Sequence, residues 1–145
     1  MIQTIEATFL RKPPPYFAEG NGIPSGWVCI SFRWITDTRD RRKLYGTWVK
    51  IQSSHGVSYR VLRFSGSLRG TQASGEGEIV LDWSAWLELS GFSEDSSDLA
   101  LPLKITRARW YQRPFVGFFH PDPTYRLANL LAYLALALAF ISLFT

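Results

Sequence analysis

The sequence has few of the residues that mark an enzyme, a metalloprotein or a disulfide-bonded domain. Its 145 residues include one cysteine, Cys29, and two histidines, His55 and His120. A single cysteine cannot form an internal disulfide, and two separated histidines do not make a metal-binding cluster. A glycine-rich loop that leads into a helix, the pattern that holds phosphates, is also missing. We therefore predict a protein of a reducing compartment that is not an enzyme and has no catalytic residues, metal or cofactor.

We also expect no secretory signal peptide, because residues 1–6 contain neither a basic region nor an apolar one. One long apolar run occurs, at the opposite end of the sequence. Residues 127–144 include no charged side chain, and as a helix they would be roughly 27 Å long, close to the hydrocarbon core of a bilayer. Asp122 and Pro123 are typical of a helix start. We predict a single C-terminal transmembrane helix over residues 123–145; the alternative is a helix buried in a soluble core.

Small residues in this helix recur at steps of four, three, four and three, which places them on one stripe. They are Ala128, Ala132, Ala135, Ala139 and Ser142. Such a stripe lets membrane helices pack closely, so it predicts an oligomerisation seam. The alternative is that alternating leucine and alanine produce the stripe by chance. With a real seam, the partners of this protein are the lipid bilayer and either further copies of the chain or another membrane subunit.

The residues before the helix predict one small β domain, residues 1–111. The chain is 15% aromatic, and its apolar residues repeatedly alternate with polar ones, which is typical of half-buried strands. Strands are expected near residues 4–9, 26–35, 44–52, 57–68, 75–89 and 101–111. Six to eight short strands joined by short turns indicate an all-β fold, a small antiparallel barrel or sandwich. The charged run 37–43 is expected to be a solvated hairpin or connecting loop; its alternative role is a basic contact to phosphate or to anionic lipid headgroups.

Residues 112–122 are expected to form a juxtamembrane linker rich in aromatic residues and proline. The aromatic and basic residues on either side of it and within it are Trp110, Tyr111, Phe115, Phe118, Phe119, Tyr125, Arg109, Arg113 and Arg126. This mixture is typical of residues at the headgroup level of a membrane. Because the positive charge precedes the helix, we expect the N-terminal domain to lie in the cytoplasm.

Several arginines fall at core-facing positions of the expected strands. Arg60 shares the parity of Leu62, and Arg107 and Arg109 share the parity of Ile105. Either a bulge turns these arginines outward, or they line an open mouth of the barrel. Such a mouth would suit a small anionic ligand, with arginine forks on phosphate and indole rings on a base. The candidate ligand-binding residues are Trp48, Arg60, Arg107, Arg109 and Trp110.

The alternative is that these arginines reach lipid phosphates or pair with nearby carboxylates, the candidates being Glu76, Glu78 and Glu88. The formal net charge of +4 permits an anionic partner without demanding one. We expect no duplex nucleic acid among the partners.

Two resemblances add to this interpretation. Gly46-Thr47-Trp48 resembles the Gly-x-Trp signature of lipocalin-like barrels, which implies that Trp48 packs against a late-strand arginine such as Arg107 or Arg109. The whole arrangement, a small barrel with a membrane helix and no secretion signal, resembles the membrane-spanning β-barrel effectors of bacterial anti-phage signalling. Those effectors bind a cyclic oligonucleotide, oligomerise and disrupt the inner membrane. The present chain has one helix after the barrel, where those effectors carry two before it.

Two functions are consistent with the sequence. In the first, a tail-anchored protein of the bacterial inner (or equivalent) membrane senses a small anionic ligand, such as a cyclic nucleotide, through its cytoplasmic barrel. Ligand binding then drives oligomerisation of the spans and permeabilises the membrane in anti-phage defence. In the second, the protein is a non-catalytic accessory subunit anchored in a larger membrane complex. The first predicts a pocket with convergent arginines; the second predicts a filled barrel and an exposed apolar patch.

Overall fold

Six strands close into a barrel in a computed structural model that describes residues 4–11, 24–91 and 100–144. The strands are β1 (Thr4–Arg11), β2 (Trp27–Ser31), β3 (Trp48–Gln52), β4 (Val57–Ser65), β5 (Glu76–Leu81) and β6 (Ala100–Arg107). The helices are α1 (Thr38–Leu44), α2 (Trp83–Ser90), α3 (Arg113–Val116) and α4 (Pro123–Ser142), with short 3-10 turns at Phe32–Trp34 and Gly117–Phe119.

The strand order round the barrel is β1-β5-β2-β4-β3-β6, which confirms the prediction of a small β-barrel followed by a C-terminal apolar helix. The pairing is mixed, because β1 pairs with β5 and β2 pairs with β4 in parallel, while the other four neighbours are antiparallel. A parallel pair needs a long crossover connection. The crossover from β2 to β4 contains a 3-10 turn, α1 and β3, so α1 lies within the connection that this parallel pair requires.

Residues 37–43 were expected to be a solvated hairpin or connecting loop; most of them are exposed, but they form α1 and not a loop. Asp37 caps this helix by accepting a hydrogen bond of 2.7 Å from the Arg39 amide. Asp40 and Lys43 then pair one turn apart on its exposed surface. Capping and this pairing favour a helix in a segment that has too few apolar residues to show a clear period.

The expected continuation of the fifth strand through residues 86–89 is wrong, because these residues lie in α2. Asp82 caps the helix by accepting from the Ala85 amide, and Gly91 ends it in the left-handed conformation at φ 72°. Signals at both ends of the segment therefore outweigh its period-two pattern. The second strand likewise ends at Ser31, earlier than expected, and the chain turns there so that Phe32 is exposed while Trp34 is buried.

The barrel interior is filled by side chains from all six strands, and a helical segment closes each end. α2 follows β5 and the first 3-10 turn follows β2; because β2 and β5 are antiparallel neighbours, these segments lie at opposite ends. Trp86 of α2 and Trp34 of the turn are both almost completely buried in the same core as the barrel residues. Trp34 packs on Phe9 with ring centroids 5.2 Å apart. Aromatic side chains of this size contribute most of the area that stabilises so small a core.

The linker folds back along the first half of α4. The Tyr133 hydroxyl donates a 2.8 Å hydrogen bond to the Pro114 carbonyl, and the His120 ring lies 4.3 Å from that of Tyr125. α3 and the second 3-10 turn therefore run antiparallel to α4. Among the residues that the structure describes, α4 is the one helix long and apolar enough to cross a membrane, and its apolar window is entirely unburied. A core helix of a soluble domain would be mostly covered, so α4 fits a single-pass membrane anchor.

Candidate functional site

Arg60 points into the barrel and is held by a carboxylate. Its Nε and Nη2 atoms donate to the two carboxylate oxygens of Asp82 at 2.5 and 2.9 Å, and Nη2 also lies 3.0 Å from the Ser84 hydroxyl. The Arg60 side chain is 2% exposed. This bidentate geometry neutralises the buried guanidinium. The alternative interpretation paired the arginines with Glu76, Glu78 or Glu88, but the carboxylate that holds Arg60 is that of Asp82, the residue directly after β5.

Asp82 connects three parts of the fold through its carboxylate. Besides Arg60, it accepts from the amides of Ala85 and Gly26 at 2.9 and 3.0 Å. Burial acts to raise the pKa of Asp82, but the hydrogen bonds and charge of Arg60, helped by Ala85 and Ser84, hold it below the usual value of 3.8. Asp82 therefore stays ionised at neutral pH and joins β4, α2 and the start of β2.

His120 docks the linker against the barrel at Gly26, the residue that donates to Asp82. The residue is 5% exposed, and a Cβ atom on Gly26 would lie 2.2 Å from its Nε2 atom. Gly26 has φ 90°, so both its backbone conformation and the closeness of the ring require glycine. Burial lowers the pKa of His120 from 6.5, and the neighbouring charge of Asp122 acts against that shift. The Asp122 amide donates to Nδ1 at 3.1 Å, which is consistent with a neutral imidazole.

Trp48 belongs to this docking surface. Its ring meets the His120 ring edge-on at 6.0 Å on the outer wall of the barrel. Tyr59 of the adjacent strand packs on Phe119 at 5.7 Å. The lipocalin-like resemblance implied that Trp48 packs against a late-strand arginine. The aromatic ring that the structure places against Trp48 is that of His120, in the linker.

A basic cleft lies on the outer wall where β1, β6 and β3 are neighbours. Its volume is about 520 Å³. Lys104 in the cleft pairs with Glu6, whereas Lys50, Arg107 and Arg109 form no ion pair with any residue that the structure describes. Its lining residues are Thr4, Lys50, Gln52, Lys104, Thr106, Arg107, Arg109, Tyr111 and Gln112.

Arg107 is a half-buried cation of the basic cleft. Its Nε atom is buried, and within the described ranges it has no hydrogen-bond partner. The alternation of β6 stops at this residue, since Ala108 is buried and Arg109 is exposed. Arg109 donates to the Tyr111 hydroxyl at 3.0 Å. The arginines at the end of β6 therefore line an outer cleft and do not continue the core face.

The structure brings together two of the five predicted ligand residues. Arg107 and Arg109 share the basic cleft, whereas Arg60 lies inside the barrel and Trp48 lies under the linker. Trp110 is 80% exposed and packs edge-on against Tyr111 at 6.1 Å. The sequence prediction missed Lys50 and Lys104, which face outward on β3 and β6. Only the pairing of these strands places them beside Arg107.

The described residues contain no group of three or more histidine, cysteine, aspartate or glutamate side chains that could hold a metal ion. Cys29 is buried in β2, where it packs with Leu68 and Val80. Its surroundings are those of a small core residue.

The fold and the site together define a class: a small closed β-barrel joined through a docked linker to one helix that fits a membrane anchor, with a basic cleft on the barrel wall. No protein-family model matches the chain, and neither a curated protein nor a solved structure is significantly similar to it. Its function is therefore inferred from its own residues.

Proposed function

We propose that this protein is a membrane-anchored sensor whose cytoplasmic barrel binds a small phosphate-bearing ligand, such as a cyclic nucleotide, in the basic cleft. Binding drives association of α4 helices, which disrupts or permeabilises the bacterial inner membrane in defence against phage. The observation that carries the proposal is the basic cleft, where Lys50, Arg107 and Arg109 lack ion pairs within the described part of the chain.

The chemistry of the basic cleft favours phosphate over other anions. Arginine presents paired donors that match phosphate oxygens, and the buried Nε of Arg107 gains the partner it lacks when an oxyanion binds. Tyr111 supplies a ring on which a base can stack. A volume of about 520 Å³ lies within the usual range for small-molecule sites.

The basic cleft is also continuous with the linker. The Arg109 amide donates to the Gln112 side chain at 2.9 Å, and Gln112 immediately precedes α3. A ligand that orders Arg109 therefore acts on the segment that packs against Tyr133 of α4. The five seam residues of α4 are exposed and free to meet another copy.

The second candidate is an accessory subunit of a larger membrane complex. The filled barrel interior favours it, because side chains occupy the place where a barrel would enclose a ligand. The uncovered apolar surface of α4 is consistent with either candidate.

The test measures nucleotide binding and oligomeric mass on the full-length protein in detergent. Calorimetry with a panel of cyclic nucleotides, and with inorganic phosphate, is performed on the protein and on Arg107→Ala plus Arg109→Ala. We expect each lost charge-assisted contact to weaken binding by roughly tenfold or more. The matched control is Arg39→Ala plus Arg42→Ala, which removes the same charge from exposed positions of α1.

The same nucleotides should raise the oligomeric mass of the protein. Ala132→Leu plus Ala135→Leu should abolish that increase by filling the seam, whereas Ala137→Leu, outside the seam, should retain it. A monomer that binds no nucleotide and ignores these substitutions would overturn the sensor and favour the accessory subunit.

A further inference from the structure

A second cavity lies where the barrel, α2, the linker and the start of α4 meet, and we call it the junction cavity. Its volume is about 240 Å³, less than half that of the basic cleft. Ser58 and Tyr59 come from β4, Glu88 from α2, Phe119 from the linker and Arg126 from α4. A ligand bound in this cavity would therefore touch both the barrel and α4.

The walls of the junction cavity carry two opposite charges that form no ion pair among the described residues. Arg126 donates through Nε and Nη2 to the backbone carbonyls of His120 and Pro121 at 2.7 and 3.1 Å, and it forms no ion pair within the described ranges. Glu88 makes no ion pair with a residue in the described ranges. Arg60, which also touches the cavity, is already neutralised by Asp82. Within the described residues, the cavity thus presents a cation, Arg126, and an anion, Glu88, that have no ion-pair partner and lie on different elements.

An unsatisfied hydroxyl lies at the same place. Ser58 is 2% exposed, and its Oγ atom has no hydrogen-bond partner in the part of the chain that the structure describes. Leaving a buried hydroxyl without a partner costs free energy that a bound polar group would recover. The Tyr59 and Phe119 rings, 5.7 Å apart, form the apolar part of the wall, and aromatic faces attract ammonium groups.

From these features we infer that the junction cavity binds a zwitterionic group in which an ammonium and a phosphate are joined by a short link. Arg126 holds the phosphate, while Glu88 and the faces of Tyr59 and Phe119 hold the ammonium. This chemistry occurs in the headgroup of a zwitterionic phospholipid and in free phosphoethanolamine. A nucleotide lacks the ammonium, so this site differs in kind from the basic cleft and does not depend on it.

The experiment uses the full-length protein purified in detergent and measured by native mass spectrometry after exposure to phosphatidylethanolamine or phosphatidylglycerol. We expect retention of phosphatidylethanolamine, and a loss of roughly tenfold or more in Glu88→Gln and in Arg126→Gln. Arg126→Lys keeps the charge and should restore most of the binding. Glu76→Gln and Arg69→Gln remove the same charges from exposed residues outside the cavity and the linker and should have no effect.

A second arm separates the two sources of the zwitterion. Free phosphoethanolamine is titrated by calorimetry against the same variants. Binding of the lipid alone assigns the site to a headgroup, and binding of both assigns it to the zwitterion itself. Equal retention of phosphatidylglycerol, insensitivity to Glu88→Gln in both arms, or no binding in either arm would overturn the proposal. Unchanged unfolding temperatures of the variants show that any loss arises at the site.

Discussion

Arg60 and Arg107 both stand at positions where the alternation of their strands points to the core, yet they lie in opposite environments. Arg60 is almost completely buried inside the barrel, and its charge is balanced by Asp82. Arg107 ends β6 at the rim, half-buried, with no ion pair to any described residue and with a buried Nε lacking a partner. The balanced arginine stabilises the fold, whereas the unbalanced one is available to an external anion.

The largest effect on stability is expected when Arg60 loses its charge partner, because Arg60 would then be unbalanced as Arg107 is. Asp82→Asn preserves the shape of the side chain and a capping oxygen for α2, but it leaves a buried guanidinium uncompensated. We expect the free energy of unfolding to fall by about 3–5 kcal/mol. Thermal and urea unfolding, followed by tryptophan fluorescence, measure the change.

The matched control is Asp40→Asn, the same substitution in the exposed Asp40–Lys43 pair. An exposed pair contributes about 0–1 kcal/mol, so this variant should unfold almost like the parent. If Asp82→Asn is as mild as Asp40→Asn, Arg60 is not held as the structure indicates.

A smaller effect is expected from Gly26→Ala, which tests whether the balanced arginine cluster is joined to the linker. The new Cβ atom would collide with the His120 ring and would occupy a left-handed conformation at φ 90°. Backbone conformations of this kind cost about 1–3 kcal/mol for residues other than glycine, and the collision should release the linker. Faster chymotrypsin cleavage at Phe115, Phe118 and Phe119 would report that release.

Gly46→Ala separates the two causes of this effect. Gly46 has φ 73°, but nothing lies within 4 Å of its ideal Cβ position. This variant should therefore be destabilised by the unfavourable backbone conformation alone. Its linker should resist chymotrypsin as well as the linker of the parent protein does. Equal cleavage of the two variants would show that His120 does not dock the linker.

The smallest effect is expected from pH, through His120. Its pKa in the folded protein is below 6.5 because it is buried, so below about pH 6.5 the unfolded chain binds more protons. Docking should be strongest above that value and weaken as the pH falls towards the folded pKa. Asp122, Arg60 and Asp82 are the charged groups that act on this ring, and the pKa values of both aspartates lie below 3.8, so they remain ionised in this range.

Hydrogen exchange of the linker amides from about pH 8 to about pH 5, corrected for the intrinsic rate, measures this weakening. His120→Phe keeps an aromatic ring against Trp48 and Tyr125 and should remove the pH dependence. His55→Gln, at an exposed turn between β3 and β4, should retain it. An unchanged profile in His120→Phe would assign the dependence to another group.

The sequence was sufficient to predict features that neighbouring residues determine. The interior faces of β1 and β6 follow from alternation, since Ile5, Phe9, Leu103 and Ile105 are all buried. The start of α4 was predicted from Asp122, whose carboxylate accepts from the Thr124 amide. The helical nature of α2 was also readable from Asp82 and Gly91, but the apolar alternation of the segment concealed it.

The site was only partly predictable, because its residues meet through strand pairing. Arg107 and Arg109 were identified from β6 alone. Lys50 lies beside them because it pairs with Thr106, the neighbour of Arg107, in the β3–β6 ladder. Lys104 lies in the same cleft because it pairs with Gln52 in that register. Such a register depends on which strands become neighbours and on how the chain crosses between them. The alternation of apolar and polar residues within a strand does not identify its neighbour, so it cannot predict the register.

The sequence by itself determined the faces of the strands, the helix caps and the apolar character of α4, because these depend on residues within a few positions of one another. The tertiary structure alone decided the mixed pairing of the barrel, the balancing of Arg60 by Asp82 and the docking of His120 on Gly26. Each of these contacts joins residues far apart in the chain. These contacts stabilise the protein only after the chain has closed the intervening loops, so a local sequence pattern cannot predict them.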